Sequence, residues 1–392
     1  MRIERNKLVF YFSILLITFS CIRSANKNSS IEGININVGS IKQKWYPNDL
    51  IKEKEYLKLQ TNKECLISGI DKLIIRNNQI YILDRISNSV FVFNTKGKYI
   101  KKYYHYGKGP GELINLHDFD LSKDGKYIYF MDITQRKICK YSINDELIKN
   151  VKLDFNTFSF ACIDENTLIF YQNKRRNSKR KYQYNLVIWD FKKEDVINGF
   201  LPIKEPRPVI IGKSALYYSN RQLYYLPFSA SSVYMINKQQ LTPFIHILDS
   251  AYIEKDFWVN VDPYEVIKKL IASNYSYSFS DFYYTDGIIT FSFRKGKKKV
   301  KVFYSNANHK SVFGSGFKRE NSNRIPGSLN ILGVYDDRFI SYFTPIRIMR
   351  NSHEIYPFYR TQPNLHKELI EIAQKTTVND NPILVFFKVN IN

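Results

Sequence analysis

The residues best placed to do chemistry gather between His105 and Asp118. They surround a loop written Gly107-Lys-Gly-Pro-Gly-Glu112. Glycines reach positive φ and let backbone amides approach a ligand closely. With His105, Lys108, Gly109, Glu112 and His117 around it, such a loop could hold a polar ligand through amides, imidazole, ammonium and carboxylate. A purely structural account competes: Pro110 and the glycines set a turn, and Glu112 caps neighbouring amides. The loop is not a phosphate cradle, because Gly-x-x-x-x-Gly-Lys-Ser/Thr is absent. His117 and Asp118 are adjacent, so in a strand they point to opposite faces and do not form a dyad. No Gly-x-Ser-x-Gly elbow supplies a nucleophile. The remaining histidines, His246, His309, His353 and His366, stand singly. No catalytic residue, metal site or cofactor is assigned.

Other reactive types read as structural. Cys21, Cys65, Cys139 and Cys162 show no metal-ligand spacing. Cys139 and Cys162 sit in strand-like runs, where a small buried thiol is the expected role. Asp84 and Asp132 end equivalent runs and are expected to cap turns by accepting backbone amides. Lys123-Asp-Gly-Lys126 reads as a hairpin turn, without the spaced acids of a calcium loop. Tyr103, Tyr104, Tyr106, Tyr217, Tyr218, Tyr224 and Tyr225 would suit sugar stacking if exposed, and blade packing if not.

The net charge is 59 − 36 = +23 over 392 residues. Biased usage of Lys, Asn, Ile and Tyr accounts for it without a function; attraction to an anionic surface or ligand is the sharper account. The charge forms no nucleic-acid module, so no nucleic-acid partner is expected. The run Asn173–Lys181 reads as a solvated loop tip. At the start, Arg2, Arg5 and Lys7 precede an apolar run from Leu8 to Phe19, too short to span a bilayer. Residues 1–20 therefore read as an export signal. It ends at Thr18-Phe-Ser-Cys21, which resembles a bacterial lipobox with Cys21 as the lipidated residue. Residues 21–52 then form a tether and leader, and 53–392 a single domain.

The elements that must position these side chains repeat. Gln79-Ile-Tyr-Ile-Leu-Asp84 returns as Tyr127-Ile-Tyr-Phe-Met-Asp132, and Asp84 to Asp132 and Val90 to Ile138 are both 48 positions. A strand-built period of that size indicates propeller blades. Val90–Phe93, Tyr127–Phe130, Leu186–Trp189 and Leu384–Phe387 are apolar on both faces. A sheet with one wet face would alternate; a blade between two others need not. Six blades follow, with the last one strand short. The isolated strand near Tyr56–Leu59 fills that gap by pairing with Ile383–Lys388, closing the ring and removing a free edge. The fold class is all-β, a six-bladed β-propeller with two short helical insertions, to about Ala272 and from about Leu365 to Lys375.

The cysteine-ended leader, Tyr56-Leu-Lys-Leu-Gln60, Gln79–Asp84, the turn Phe93–Gly97, Gly107–Glu112 and Asn381-Pro-Ile-Leu-Val385 together resemble the six-bladed β-propeller lipoproteins of Bacteroides-type bacteria, whose blades are related to NHL repeats. The resemblance covers nearly the whole chain after residue 20. It implies a propeller lipid-anchored in the cell envelope, at the outer membrane, and no particular chemistry. The expected function is non-enzymatic binding or scaffolding of a glycan, peptide or envelope protein. A propeller lyase or hydrolase with an axial active site is the alternative, and it would need acidic or His residues converging on the axis.

Overall fold

The computed structural model describes residues 34–38, 50–204, 214–249, 265–314, 330–349 and 367–391, apart from 176, 178, 180, 181, 230 and 286, together with Ile253, Phe257 and Asp262. The export signal, Cys21 and its tether lie outside the described residues. The chain separates into Met1–Ile34 and Asn35–Asn392, and the second unit holds the fold.

That unit is a six-bladed β-propeller, each blade an antiparallel meander. Blade 1 is β3 (Lys72–Arg76), β4 (Gln79–Asp84), β5 (Ser89–Asn94) and β6 (Tyr99–Tyr103). Blade 2 is β7 (Leu116–Leu121), β8 (Tyr127–Asp132), β9 (Lys137–Ser142) and β10 (Leu147–Lys152). Blade 3 is β11 (Ser159–Cys162), β12 (Thr167–Tyr171), β13 (Tyr184–Asp190) and β14 (Asp195–Pro202). Blade 4 is β15 (Leu216–Ser219), β16 (Gln222–Tyr225), β17 (Ser232–Ile236) and β18 (Leu241–Leu248), with β1 (Ile34–Asn37) as a fifth, outermost strand. Blade 5 is β19 (Ser276–Thr285), β20 (Ile288–Lys295), β21 (Lys298–Ser305) and β22 (Ser311–Gly314). Blade 6 is β23 (Gly333–Tyr335), β24 (Arg338–Phe343) and β25 (Ile383–Val389), completed by β2 (Ile51–Lys58).

Closure is as the sequence predicts: Tyr56 pairs with Val385 and Leu57 with Leu384. Asn381 locks the seam from a fully buried position. Its Oδ1 accepts the Ile67 N–H at 2.8 Å, and its Nδ2 donates to the carbonyls of Gln60 and Cys65, both at 2.7 Å. The expected helices are α1 (Val266–Ala272) and α3 (Lys367–Gln374), and a third, α2, occupies 345–349. Leu369, Ile370 and Ala373 of α3 pack into the cluster shared by blades 5 and 6.

Burial follows blade position. The middle strands β4, β5, β8, β9, β12 and β13 are buried almost throughout, while β6, β10 and β14 on the rim alternate or face water. Each large apolar cluster joins residues of adjacent blades, for example Tyr81 and Val92 with Phe119 and Phe130. Hydrophobic burial thus glues sheet to sheet, at roughly 25 cal/mol per Å² of apolar area.

Three inner hairpins turn on Asn77-Asn78, Asn220-Arg221 and Asp336-Asp337, with φ between 48° and 61° at all six residues. Two-residue loops with both residues left-handed match the twist of the flanking strands, and Asn and Asp tolerate that region best.

Candidate functional site: the axial channel

The inner strands β3, β7, β11, β15, β19 and β23 stand around the axis, each with one edge unpaired by its own blade. Unpaired strand edges must find other partners. Here side chains of neighbouring blades supply them at the four seams from blade 1 to blade 5, and side chains meet each other at the last two. Lys72 Nζ donates to the Phe119 carbonyl at 2.7 Å, and Arg76 to that of Ser122 at 2.8 Å. Asp118 and Asp120 accept the N–H groups of Phe160 and Cys162 at 3.2 and 2.7 Å. Ser159 and Ser214 hydroxyls meet at 3.0 Å, and the Tyr218 hydroxyl donates to the Cys162 carbonyl. The Asp281 N–H donates to the Tyr217 hydroxyl at 3.1 Å, and that of Tyr284 to Ser219 Oγ at 2.8 Å. Thr285 reaches Asp337, and the Tyr335 hydroxyl donates to Asn78 at 3.2 Å, completing the circle.

Inside this collar lies a channel of about 1470 Å³, lined by all six inner strands. Small-ligand pockets run from about 300 to 1,000 Å³, so a chain-like ligand fits. Two carboxylates in the wall carry ammonium partners: Lys72 Nζ is 2.9 Å from Asp118 Oδ1, and Lys299 Nζ is 2.8 Å from Asp281 Oδ2. Burial opposes the charge on Lys72, but Asp118 and Asp120 outweigh it and raise its pKa. Burial raises the Asp120 carboxyl in turn, partly offset by Lys72. Tyr217 and Tyr283 are pushed well up by burial and by the Asp281 charge, so both remain neutral donors.

Strand β19 is irregular where it faces this space. Its register shifts between Tyr277 and Ser280 and again between Ser280 and Tyr283. Ser278 and Asp281 have φ of 54° and 55°. Non-glycine residues held there cost on the order of 1–3 kcal/mol each, and such strain gathers at functional positions.

The loop 107–112 joins β6 to β7, from the rim of blade 1 to the axis of blade 2. Its geometry is internally satisfied. Glu112 Oε2 accepts the Gly109 N–H at 2.8 Å, and a Cβ on Gly107 would lie 2.0 Å from the same oxygen. Gly107 and Gly111 both have positive φ. His105 Nε2 lies 2.9 Å from Asp145 Oδ1, and its ring stacks on Tyr141 at 4.4 Å between centroids. Lys108 is exposed. His117, on β7, packs edge-on against Phe158, and burial with Arg85 nearby lowers its pKa. The structure thus brings Gly109 and Glu112 together, ties His105 to blade 2, leaves Lys108 exposed and packs His117 against blade 3. Asp118 bonds Lys72 and the Phe160 N–H while His117 packs on Phe158, beside a register shift in β7.

The turn-capping aspartates behave as expected. Asp84 accepts the N–H groups of Ile86 at 3.0 Å and Ser68 at 2.8 Å; Asp132 accepts those of Gln135 at 2.7 Å and Ile114 at 2.6 Å. Cys65, Cys139 and Cys162 are buried free thiols. Among the tyrosines, Tyr103 is buried in the interface of blades 1 and 2, while Tyr104 and Tyr106 are exposed. Among the described residues no group of three or more His, Cys, Asp or Glu is arranged to hold a metal, and no helix is long and apolar enough to cross a membrane.

Sequence reasoning missed Lys72, Asp281, Arg294 and Lys299 as channel residues. Two signals were present: Asp118 and Asp120 alternate with Leu116, Phe119 and Leu121 inside a short buried strand, and Asp281 sits in a stretch rich in aromatic residues. A charge inside a buried strand needs a partner, and the partner marks the axis.

Fold and channel define the class: a closed six-bladed propeller with a polar bore. Residues 33–388 match the model of a domain of unknown function, DUF4934, and the chain belongs to that family. A protein of Bacteroides fragilis NCTC 9343 assigned as exported has the same fold, with a TM-score of 0.76 at 19% identity over 91% of this chain and 99% of that one. A member of the DUF4221 family from Bacteroides vulgatus ATCC 8482 gives 0.52 at 13% identity, over 88% and 98%. Identities this low carry the fold alone. No curated protein matches this chain by sequence.

Proposed function

We propose that this chain is a lipid-anchored envelope protein with NHL-like blades that binds a glycan or peptide segment, or an envelope protein presenting one, in its axial channel, without catalysing a reaction. The observation that carries the reading is the channel: about 1470 Å³, lined by ion pairs, hydroxyls and partly exposed rings such as Phe158, Tyr283 and Tyr342. Polar partners set orientation and rings supply contact area, the usual composition of a binding cleft. Both wall carboxylates described above are held by lysines, which suits recognition better than proton transfer. Export is supported by the basic and apolar leader, and by the exported assignment of the Bacteroides fragilis relative. The anchor reading rests on Cys21 at the end of that leader. One acyl chain holds a protein only reversibly, so the anchor requires more than one.

The test is affinity capture from envelope extracts with the anchor-free domain, wild type against a Tyr283→Ala, Arg294→Ala variant and against Lys108→Ala on the outer loop. The channel variant should lose the captured component and the loop variant keep it. Equal capture by all three overturns the channel reading. Separately, Cys21→Ala should move the protein from the membrane fraction to the soluble one; retention at the membrane overturns the anchor.

A further inference from the structure

The two ends of the channel differ in charge. At the end where the inner strands begin, the carboxylates of two ion pairs are covered and their cations are not. The Asp118 and Asp281 side chains are 5% and 4% exposed, while their partners Lys72 and Lys299 are 30% and 38% exposed. Arg85 and Arg294 line the same end and are also open to solvent. Arg294 is opposite Tyr277 at the start of β19, and Lys299 is opposite Arg294. Asp71 is the acid of comparable exposure in this part of the lining, and it lies 3.9 Å from Arg85. At the other end the exposed acids Asp124, Asp336 and Asp337 stand beside Lys123 and Arg221, and no such excess arises. With the acid of two pairs covered, the solvent-facing groups of this mouth are mainly cationic, and such a mouth favours anionic ligands.

From this we infer that the ligand of the channel is an acidic oligosaccharide, bound with a carboxylate or sulfate at the mouth formed by Lys72, Arg85, Arg294 and Lys299. The inference rests on the channel-binding reading above. The partly exposed rings Phe158, Phe228 and Tyr342 line this end too, and offer faces on which pyranose rings stack. That combination favours a sugar acid over an acidic peptide. Strained Ser278 and bulged β19 place the Asp281–Lys299 pair in the wall, so the lysine head is presented while its counter-ion stays covered.

The experiment is calorimetric titration of the anchor-free domain with four probes: galacturonate oligomers, their methyl esters, sulfated oligosaccharides of equal length, and polyglutamate. Galacturonate or sulfated oligomers should bind, the preferred one identifying the acid, and the methyl esters should bind at least about tenfold more weakly. Arg294→Gln, at an exposed site, should weaken binding about tenfold and flatten its salt dependence. Lys299→Gln is paired with Lys299→Gln, Asp281→Asn, which also removes the carboxylate charge that Lys299 faces and serves as a folded control. Esters binding as tightly as acids would overturn the charge requirement while leaving channel binding standing. Polyglutamate binding more tightly than either glycan would overturn the sugar. No binding by any probe overturns the inference, and the capture experiment then decides separately whether the channel binds anything.

Discussion

Asn381→Ala tests ring closure directly. The residue is fully buried and joins the C-terminal segment to the loop between β2 and β3, more than 300 positions away in sequence. The substitution leaves its own N–H donating to Thr61 Oγ1 at 2.9 Å, but removes three side-chain hydrogen bonds. At about 1 kcal/mol net each, the loss is about 3 kcal/mol, rising toward 5 if the stranded Ile67 N–H and the two carbonyls stay dry. With an unfolding entropy of about 2.1 cal/mol/K per residue, a domain of this size should melt about 4 °C lower. Urea unfolding followed by circular dichroism gives the free energy, and calorimetry the midpoint. Asn381→Asp should do no better, because it keeps the acceptor but turns a second oxygen toward two carbonyls. Asn379→Ala, two positions earlier and exposed, is the control and should change little. If Asn381→Ala loses no more than this control, the seam is not held by this residue and the closure argument fails.

Further outcomes follow from single contacts. Lys72→Met leaves Asp118 nearly buried beside two N–H donors and should cost about 2–3 kcal/mol in urea unfolding; adding Asp118→Asn should recover part of it. Gly107→Ala must displace the Glu112 carboxylate, so limited proteolysis should cut the 104–113 loop faster than in wild type, while Glu112→Gln, which retains an acceptor, should behave nearly as wild type. Burial raises the thiol pKa of Cys139 to about 12 and that of Cys162 well above its usual value. Both should resist a thiol reagent at pH 8 until denaturant is added, and a fast native reaction would show the blades open. His117 has a lowered pKa in the fold, so the unfolded chain takes up its proton first. Its contribution is present above about pH 6.5 and is lost as pH falls below that. His117→Gln should therefore unfold with a shallower pH dependence between pH 6.5 and 5, and an unchanged slope would refute the assignment.

The middle strands were legible because dry-on-both-faces runs such as Val90–Phe93 have no other home, and the seam because one strand was spare. Blade 4's inner strand β15 and blade 5's strands β19 and β22 were not. In β19 the bulges and left-handed residues break the period of two, and serines alternate with rings, so neither a wet nor a dry face stands out. Strand β1 was hidden because four residues in a stretch read as leader carry too little pattern. For the loop 107–112 the sequence offered two accounts, a ligand site and a turn capped by Glu112, and the Glu112–Gly109 bond matches the second. The channel was invisible for a different reason: Lys72 and Asp118 come from separate blades, and they share one space with Asp281 and Lys299 only once the ring is assembled.

Strand β1 has a mechanical consequence. The chain's leading end enters the propeller on the outer edge of blade 4, not at the seam in blade 6. A pull on that end loads the short β1–β18 ladder before any force reaches β2, which completes the ring. Four residues of ladder are a smaller hold than the eight of β2, so this ladder should yield first. The toroid behind it would stay shut under drag that would otherwise unzip it.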